Sequence, residues 1–244
     1  MTVSLSLQEK KVLVPRGRKQ AHKFSSLVEN FGGIPVKIPL LNFRPATGNK
    51  EVEACLGRLS EYDWIIFTSQ VTVETFFSFL DHQQISSLPK IAAIGSKTAK
   101  FLRNKGADVA FVPEEFVAEG FVEEFAPIVK TGKKILLPKG NLAREYIATE
   151  LSKKGAIVDE VIIYETFFPE ESKGKLVQAL EKGELDILPF TSPSTVDHFM
   201  EVVNEYNFHE KIKDCIIGAI GPVTKKRCEE HGLAVHVMPE VYTT

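Results

Sequence analysis

Cysteine is scarce in this sequence, and the common cofactor and nucleophile motifs are missing from it. The three cysteines, Cys55, Cys215 and Cys228, are odd in number and show neither CxxC nor mixed Cys/His ligand spacing, so neither a disulfide framework nor a zinc site is expected. There is no GxGxxG after a strand, no GxxxxGK[ST], no GxSxG and no HExxH. We therefore expect no metal, no cofactor and no covalent nucleophile.

The sequence also lacks an excess of positive charge and a long apolar run. Its 30 Lys and Arg against 32 Asp and Glu give a formal net charge of −2, which argues against non-specific binding to nucleic acid or to a membrane surface. The N-terminus has no signal-peptide pattern, and no run approaches the roughly 18 apolar residues of a membrane span. We expect a cytoplasmic protein that binds any anion through local groups.

What the sequence does contain is a long internal repeat. FTSQVTVETF at 67–76 is similar to FTSPSTVDHF at 190–199, which lies 123 residues later. Gly17 and Gly140 are separated by the same interval, and Gly95 and Gly221 by 126 residues. Solenoid and propeller repeats have periods of about 20 to 50 residues, so the interval indicates a duplicated unit of domain size.

Short apolar runs alternate with amphipathic runs in both halves. This order predicts parallel sheets with helices on both faces, an α/β fold. The predicted strands are Lys11–Pro15, Trp64–Phe67, Ile91–Ile94, Lys134–Leu137, Ile157–Tyr164, Asp186–Phe190 and Ile216–Ile220. The predicted helices are Gln20–Phe31, Val71–Leu80, Lys97–Lys105, Leu142–Lys154, Thr195–Glu205 and Val223–His231. The stretches Arg44–Lys50 and Pro169–Gly174 are interpreted as connectors.

The repeated corners join the end of a strand to the start of a helix. Helix N-termini at the carboxyl ends of parallel strands favour anions, because their N–H groups are unpaired and the helix dipole is positive there. Serines at such corners are also ordinary helix caps, so a structural interpretation of each corner stays open. The corners FTS, IGSKT and PKG, with their counterparts FTSP, IGPVT and PRG, could together bind one acidic ligand.

Six segments of the chain resemble the uroporphyrinogen-III synthase family, and together they cover nearly its whole length. Their order and spacing are typical of the family, whereas no single segment is a specific motif. The segments are VPRGRKQAHKFSSLVENFGGIPVKIPLLNF, WIIFTSQVTVETFF, IAAIGSKTAKFLRNKGADVAFVPEEFVAEGFVEEF, GAIVDEVIIYETF, ILPFTSPSTVDHFMEVV and IGAIGPVTKKRCEEHGLAVHVMPEVYT.

The resemblance implies a particular domain organisation. Two similar domains, each a parallel sheet flanked by helices, would be joined by two extended connectors with a cleft between them. Domain 1 would comprise residues 1–39 and 166–244, and domain 2, inserted into it, residues 40–165. The crossings would be KIPLLNF and IIYETFF, and the corner would recur because each domain supplies one wall of the cleft.

The resemblance also implies an activity and a set of site residues. The family is a cofactor-independent lyase that cyclises hydroxymethylbilane, with loss of water and inversion of the last pyrrole ring, to uroporphyrinogen III in haem biosynthesis. Tyr164 matches the family tyrosine proposed to assist departure of the hydroxyl, as a hydrogen-bond or proton donor. The residues expected to bind substrate are Thr224, Ser192, Ser194, Gly221, Ser69, Thr68, Thr98, Ser96, Arg16 and Lys139.

Other functions and partners are also considered. A catalytically silent two-domain protein that binds an acidic small molecule, or a regulatory relative, would share this fold. For the enzyme we expect a monomer that binds a polycarboxylate and that could receive it from hydroxymethylbilane synthase. Retention of Tyr164, Thr224 and the IGPVT corner favours the enzyme.

Overall fold

The computed structural model describes residues 6–240, with side chains for all of them except 18–20 and 82. The strands are β1 (Lys11–Val14), β2 (Ile34–Lys37), β3 (Asn42–Pro45), β4 (Trp64–Phe67), β5 (Lys90–Ala93), β6 (Val109–Phe111), β7 (Lys134–Gly140), β8 (Ile157–Phe167), β9 (Ile187–Phe190) and β10 (Ile216–Ala219). The α-helices are α1 (Arg18–Asn30), α2 (Lys50–Gly57), α3 (Gln70–Ser78), α4 (His82–Ser86), α5 (Ser96–Asn104), α6 (Ala118–Phe125), α7 (Tyr146–Lys153), α8 (Glu170–Glu181), α9 (Pro193–Glu205), α10 (His209–Ile212) and α11 (Pro222–Glu230).

The chain divides into two compact units, of which the first is discontinuous. Unit 1 comprises Met1–Asn42 and Phe167–Thr244, and unit 2 comprises Phe43–Thr166. These bounds lie within three residues of the domain bounds expected from the sequence. Each unit contains its own sheet and its own apolar core.

Unit 1 contains a four-stranded sheet in the order β10-β9-β1-β2, and its strands pair in parallel. Apolar side chains alternate across the sheet, as the strand period of two requires. Leu13, Leu188 and Phe190 share one core cluster with side chains of α8, α9 and α11. On the other face, Val12 and Ile187 line an apolar cavity together with side chains of α1.

Unit 2 contains a six-stranded sheet in the order β3-β8-β7-β4-β5-β6. From β8 to β6 the neighbouring strands pair in parallel. Ile65 and Phe67 belong to a core cluster with α2, α3 and α5, whereas Trp64 and Ile66 belong to a second cluster with α6 and α7. Helices therefore cover both faces, as expected for a buried parallel sheet.

Two neighbouring strands carry the chain across the boundary between the units. The chain leaves unit 1 within β3 and returns to it within β8, and β3 and β8 are adjacent in the sheet of unit 2. The crossings predicted from the sequence therefore fall in two adjacent strands, of which β3 lies at the edge of the sheet and β8 lies between β3 and β7.

One predicted connector is wrong and another is only partly correct. Pro169–Gly174 is the start of α8, whose first turn carries Glu170 and Glu171; acidic side chains there stabilise the helix through its dipole. The polar residues at its start do not show the apolar pattern of a helix, and the helix was therefore not predicted there. Its later residues Leu176 and Leu180 are buried. Within Arg44–Lys50, the first two residues belong to β3 and the last begins α2.

Candidate active site

In unit 2, predicted site residues lie at the carboxyl ends of four neighbouring strands. Because β8, β7, β4 and β5 run parallel, these ends share one edge of the sheet. Adjacent strands are about 4.8 Å apart, so the ends of β8 and β5 are separated by about 14 Å. The starts of α3 and α5 are joined directly, since Nε2 of Gln70 donates a hydrogen bond of 3.2 Å to the carbonyl of Lys97.

Helix α5 begins with donors that no protein group uses. Its N-cap is Gly95, which has no capping side chain, and the N–H groups of Ser96, Lys97 and Thr98 have no acceptor within the described residues. Thr98 is buried, yet its hydroxyl has no hydrogen-bond partner there. Among the described residues, only Oγ of Ser25 is a side-chain N or O atom that is both fully buried and without a partner. Because the Thr98 hydroxyl also has no partner among them, it must retain some accessible surface. It is therefore available to a ligand.

Helix α3, in contrast, is capped by its own sequence. Oγ of Ser69 accepts a hydrogen bond of 3.1 Å from the N–H of Thr72 and lies 2.8 Å from the Thr72 hydroxyl. Thr68 is half-buried, and Ser96, at the start of α5, is exposed. The cap interpretation therefore accounts for Ser69, and ligand binding by Ser69, Thr68 and Ser96 stays a prediction.

Tyr164 lies at the same edge, and an irregularity in strand pairing determines the face of the sheet on which its side chain packs. Lys139 is paired with Ile162, but Gly140 is paired with Tyr164, so β8 carries one extra residue here. Strict alternation would place Tyr164 on the face opposite Ile163. The shift instead lets Tyr164 pack against the same cluster as Ile163, on the face covered by α3 and α5.

The phenol of Tyr164 is held by its ring and not by its hydroxyl. The ring meets Phe43 edge to face, with centroids 5.6 Å apart and an interplanar angle of 84°. A hydrogen-bond partner for the Tyr164 hydroxyl is absent from the described part of the chain, and this oxygen is not among its fully buried, unpartnered atoms. The hydroxyl is thus free to donate to a bound molecule.

Lys139 forms an ion pair within unit 2. Its ammonium lies 2.9 Å from Oε1 of Glu160 on the neighbouring strand, and its side chain is 10% exposed. The charge of a buried, paired ammonium is largely compensated by its carboxylate partner, so it attracts a further anion only weakly. Substrate binding by Lys139 stays a prediction, and this pairing weighs against it.

Unit 1 repeats the contrast between an uncapped and a capped helix. The N-cap of α11 is Gly221, without a side-chain cap; the N–H groups of Val223 and Thr224 have no acceptor in the described residues. Thr224 is buried, with an unpartnered and accessible hydroxyl. Helix α9 is capped by Ser192, whose Oγ accepts a hydrogen bond of 3.3 Å from the N–H of Thr195.

The remaining predicted residues of unit 1 have different surroundings. Ser194, in the first turn of α9, is half-buried. Arg16 follows β1, and burial lowers the pKa of its guanidinium. Since β10, β9 and β1 are parallel neighbours, Gly221, Ser192 and Arg16 lie at one edge of their sheet.

Three neighbours of Tyr164 were not predicted as site residues. Phe43 contacts its ring, Gly140 lies opposite it, and the N–H of Asn141 donates a hydrogen bond of 3.2 Å to its carbonyl. The repeat had marked Gly140 as a shared glycine, but it gave no sign of contact with Tyr164. Asn141 directly follows a strand, and an asparagine at such a position is typical of a turn residue. This was the signal in the sequence that could have identified it.

Parallel sheets with uncapped helix N-termini at their carboxyl edges are typical of α/β proteins that hold an anionic small molecule. The model of the HemD uroporphyrinogen-III synthase family matches residues 22–244. The chain belongs to the uroporphyrinogen-III synthase family.

Individual relatives agree with the family model. The chain is 31% identical to the uroporphyrinogen-III synthase of Synechococcus elongatus, over 96% of this chain and 91% of the relative. It is 34% identical to a putative uroporphyrinogen-III synthase of Methanocaldococcus jannaschii, over 96% and 94%.

Solved structures show the same fold. A mutant uroporphyrinogen III synthase of Thermus thermophilus matches with a TM-score of 0.65 and 20% identity, covering 96% of this chain and 94% of that one. The uroporphyrinogen-III synthetase of Helicobacter pylori matches with a TM-score of 0.65 and 17% identity over the same shares.

Membrane-spanning helices and metal clusters are both absent from the described residues. Within 6–240, no helix has the length and apolar character to cross a membrane. No group of three or more His, Cys, Asp or Glu side chains in that range is arranged to hold a metal ion.

Proposed function

We propose that this chain converts hydroxymethylbilane to uroporphyrinogen III, with inversion of ring D and loss of water, and that Tyr164 is its proton donor. Membership of the family supports the reaction. The observation that carries the assignment of Tyr164 is its unpartnered hydroxyl, which lies at the same sheet edge and on the same face as the uncapped start of α5.

Carboxylates of the substrate bind to neutral donors in this proposal. The free N–H groups at the starts of α5 and α11 and the hydroxyls of Thr98 and Thr224 supply hydrogen bonds to carboxylate oxygens. Hydrogen bonds to an ionised acceptor are about twice as strong as neutral ones, and the helix dipoles add to them. Arg16 is the cation that we include in unit 1.

The reaction itself needs control of position more than a strong acid or base. The pyrrole nitrogen expels the hydroxyl of the hydroxymethyl group, which leaves as water with the proton of Tyr164, and an azafulvene-type electrophile remains. A substituted carbon of ring D attacks it to give a spiro intermediate. The older bond from this carbon to the methylene bridge of ring C then breaks, and the unsubstituted α carbon of ring D bonds to that methylene, which closes the macrocycle with ring D inverted. The proton that this α carbon loses as the pyrrole regains its aromaticity returns to the Tyr164 phenolate.

Unguided closure of the same substrate gives the type I isomer, because the free end can react without inversion. The protein must therefore hold ring D in the geometry that leads to the spiro intermediate. Orientation of this kind lowers a barrier without any covalent contact to the protein.

The remaining parts of the proposal concern organisation in the cell. We include a cytoplasmic location, a monomeric state and hand-over of the bilane from hydroxymethylbilane synthase, and we take units 1 and 2 as the two domains. Gel filtration at micromolar concentration measures the oligomeric state, and a dimer would contradict that part alone.

The deciding experiment supplies hydroxymethylbilane, made in situ from porphobilinogen by hydroxymethylbilane synthase, with and without the protein. After oxidation, the porphyrin isomers are separated by chromatography. We expect type III only when the protein is present. Type I alone in both samples would contradict the proposed activity.

A further inference from the structure

We propose that Gly140 and Asn141, at the end of β7, are positioning residues that fix the hydroxyl of Tyr164. This inference rests on the proposed role of Tyr164 in catalysis. It assigns a function to two residues that touch the tyrosine rather than the substrate.

Gly140 provides the space in which the Tyr164 ring lies. A Cβ atom on Gly140 would stand 2.5 Å from Cε2, 2.6 Å from Cζ and 2.9 Å from the hydroxyl oxygen of Tyr164. All three separations are shorter than packed atoms allow, since carbon atoms in contact are about 3.5 to 4.0 Å apart. Any side chain at this position must therefore displace the reactive end of the phenol.

The backbone of Gly140 does not itself require glycine. It belongs to β7 and does not have a positive φ, so alanine is compatible with its conformation. A Cβ atom on Gly17, the counterpart in the other half, would meet nothing within 4 Å. The need for space at Gly140 thus comes from Tyr164 and not from the repeated corner.

Asn141 fixes the backbone on both sides of Glu165. Its N–H donates a hydrogen bond of 3.2 Å to the carbonyl of Tyr164. Its Oδ1 accepts one of 2.8 Å from the N–H of Thr166, and its Nδ2 donates a longer one of 3.5 Å to the Thr166 carbonyl. These contacts hold the strand where the extra residue of β8 shifts the register.

The first variant is Gly140→Ala. We expect kcat for type III product to fall by about tenfold to 100-fold, the scale of a displacement near 1 Å, while KM changes little because carboxylate binding is left in place. A wild-type kcat in a folded Gly140→Ala protein would overturn the proposal. Gly57→Ala is the matched control, since Gly57 lies in the same unit and its Cβ would meet nothing within 4 Å.

A double-mutant cycle separates positioning from a general loss of stability. In a Tyr164→Ala background the ring is gone, so adding Gly140→Ala should lower neither the melting temperature nor the residual rate. If Gly140→Ala is equally harmful in both backgrounds, its effect does not act through Tyr164 and the proposal fails. This cycle also decides the case in which Gly140→Ala alone folds poorly.

Asn141→Ala tests the second residue. We expect a smaller fall in kcat, with KM unchanged, because the backbone contact to Tyr164 remains and only the side-chain contacts to Thr166 are lost. An unchanged kcat would remove Asn141 from the proposal. Absence of type III product with the wild-type protein would instead contradict the proposed function, so the two failures are distinguishable.

Discussion

Thr98 and Thr224 occupy equivalent positions, each as the third residue of a glycine-capped helix at the carboxyl end of a strand. Each is buried, and each keeps a hydroxyl without a partner among the described residues. A buried residue with an unused donor normally has a reason. In both units the adjacent N–H groups are also unused, which makes ligand binding the simplest reason.

The first prediction concerns these two hydroxyls. Thr98→Val and Thr224→Val keep the shape of the side chain and remove a donor that no described residue uses. We expect unfolding free energies within about 0.5 kcal/mol of wild type, since Thr and Val have similar helix propensities. KM should rise by about tenfold to 100-fold in each variant, because a hydrogen bond to a charged group contributes about 1.5 to 3 kcal/mol.

Steady-state kinetics and urea unfolding measure the two quantities. A large loss of stability with unchanged KM would show that the threonines are structural. The double variant should raise KM by about the product of the single effects if each threonine binds a different carboxylate, because effects on independent contacts are nearly additive.

The second prediction concerns the serine caps, which should behave in the opposite way. Ser69→Ala and Ser192→Ala remove acceptors for the N–H groups of Thr72 and Thr195. We expect each to lower the free energy of unfolding by about 1 kcal/mol. Ser→Asp at the same positions retains the cap, so it should keep the stability while its negative charge repels carboxylates and raises KM. A Ser→Asp variant with normal KM would remove that serine from the binding site.

Much of the fold could be predicted from the sequence, because the signals were local. Apolar runs gave β4 with its observed bounds, and the alternation of strands and helices gave the parallel sheets. Gly32, Gly106, Gly155 and Gly232 follow predicted helices and have positive φ, the conformation for which glycine is favoured after a helix C-terminus. The start of α8 was missed because its polar residues resemble a loop, whereas the buried apolar residues Leu176, Ala179 and Leu180 come six to ten residues after Glu170.

Less of the candidate site could be predicted, because its geometry depends on pairing between strands. The register shift that turns Tyr164 toward the α3 and α5 face is a property of β7 and β8 together. Likewise, Lys139 looked like a free cation at a corner, and its pairing with Glu160 depends on which strand lies beside it. Neither relationship leaves a pattern in either segment alone.

The third prediction concerns that pair. Lys139→Met leaves the Glu160 carboxylate without its cation, and removing one partner of a buried pair costs about 3 to 5 kcal/mol. Because the Glu160 side chain is 23% exposed, we expect the lower part of that range or less. Adding Glu160→Gln should restore part of the stability and leave KM near the wild-type value. A KM that stays high in a stable double variant would show that Lys139 binds substrate.

The fourth prediction concerns alkaline pH. Tyr62 is buried, and its hydroxyl donates a hydrogen bond of 2.7 Å to Oδ2 of Asp159. Burial, followed by the hydrogen bonds to Asp159 and Cys55, raises the pKa of Tyr62 well above its ordinary value. The unfolded chain therefore loses this proton at a lower pH than the folded protein, and the stabilisation, full below the unfolded pKa of about 10, falls as pH rises beyond it.

We expect the free energy of unfolding to fall between about pH 9 and 11 more steeply in the wild type than in Tyr62→Phe, which has no proton to lose there. Urea unfolding at several pH values measures the slope. Parallel slopes would mean that Tyr62 has an ordinary pKa. Tyr206→Phe, a substitution at an exposed tyrosine, is the matched control.

The last prediction concerns the Tyr164 hydroxyl directly. Tyr164→Phe removes one oxygen that has no partner in the described residues and keeps the ring beside Phe43, so the melting temperature should stay within a few degrees of wild type. A general acid contributes about 10²-fold to 10⁴-fold, and we expect a fall near the lower value because the substrate also closes unaided. As enzymatic closure slows, spontaneous type I product should take a larger share of the porphyrin recovered at a fixed time. Tyr206→Phe is again the control and should keep the wild-type isomer ratio. An unchanged rate and ratio in Tyr164→Phe would remove this hydroxyl from the chemistry, and the free N–H groups of α5 and α11 would then have to stabilise the departing hydroxyl.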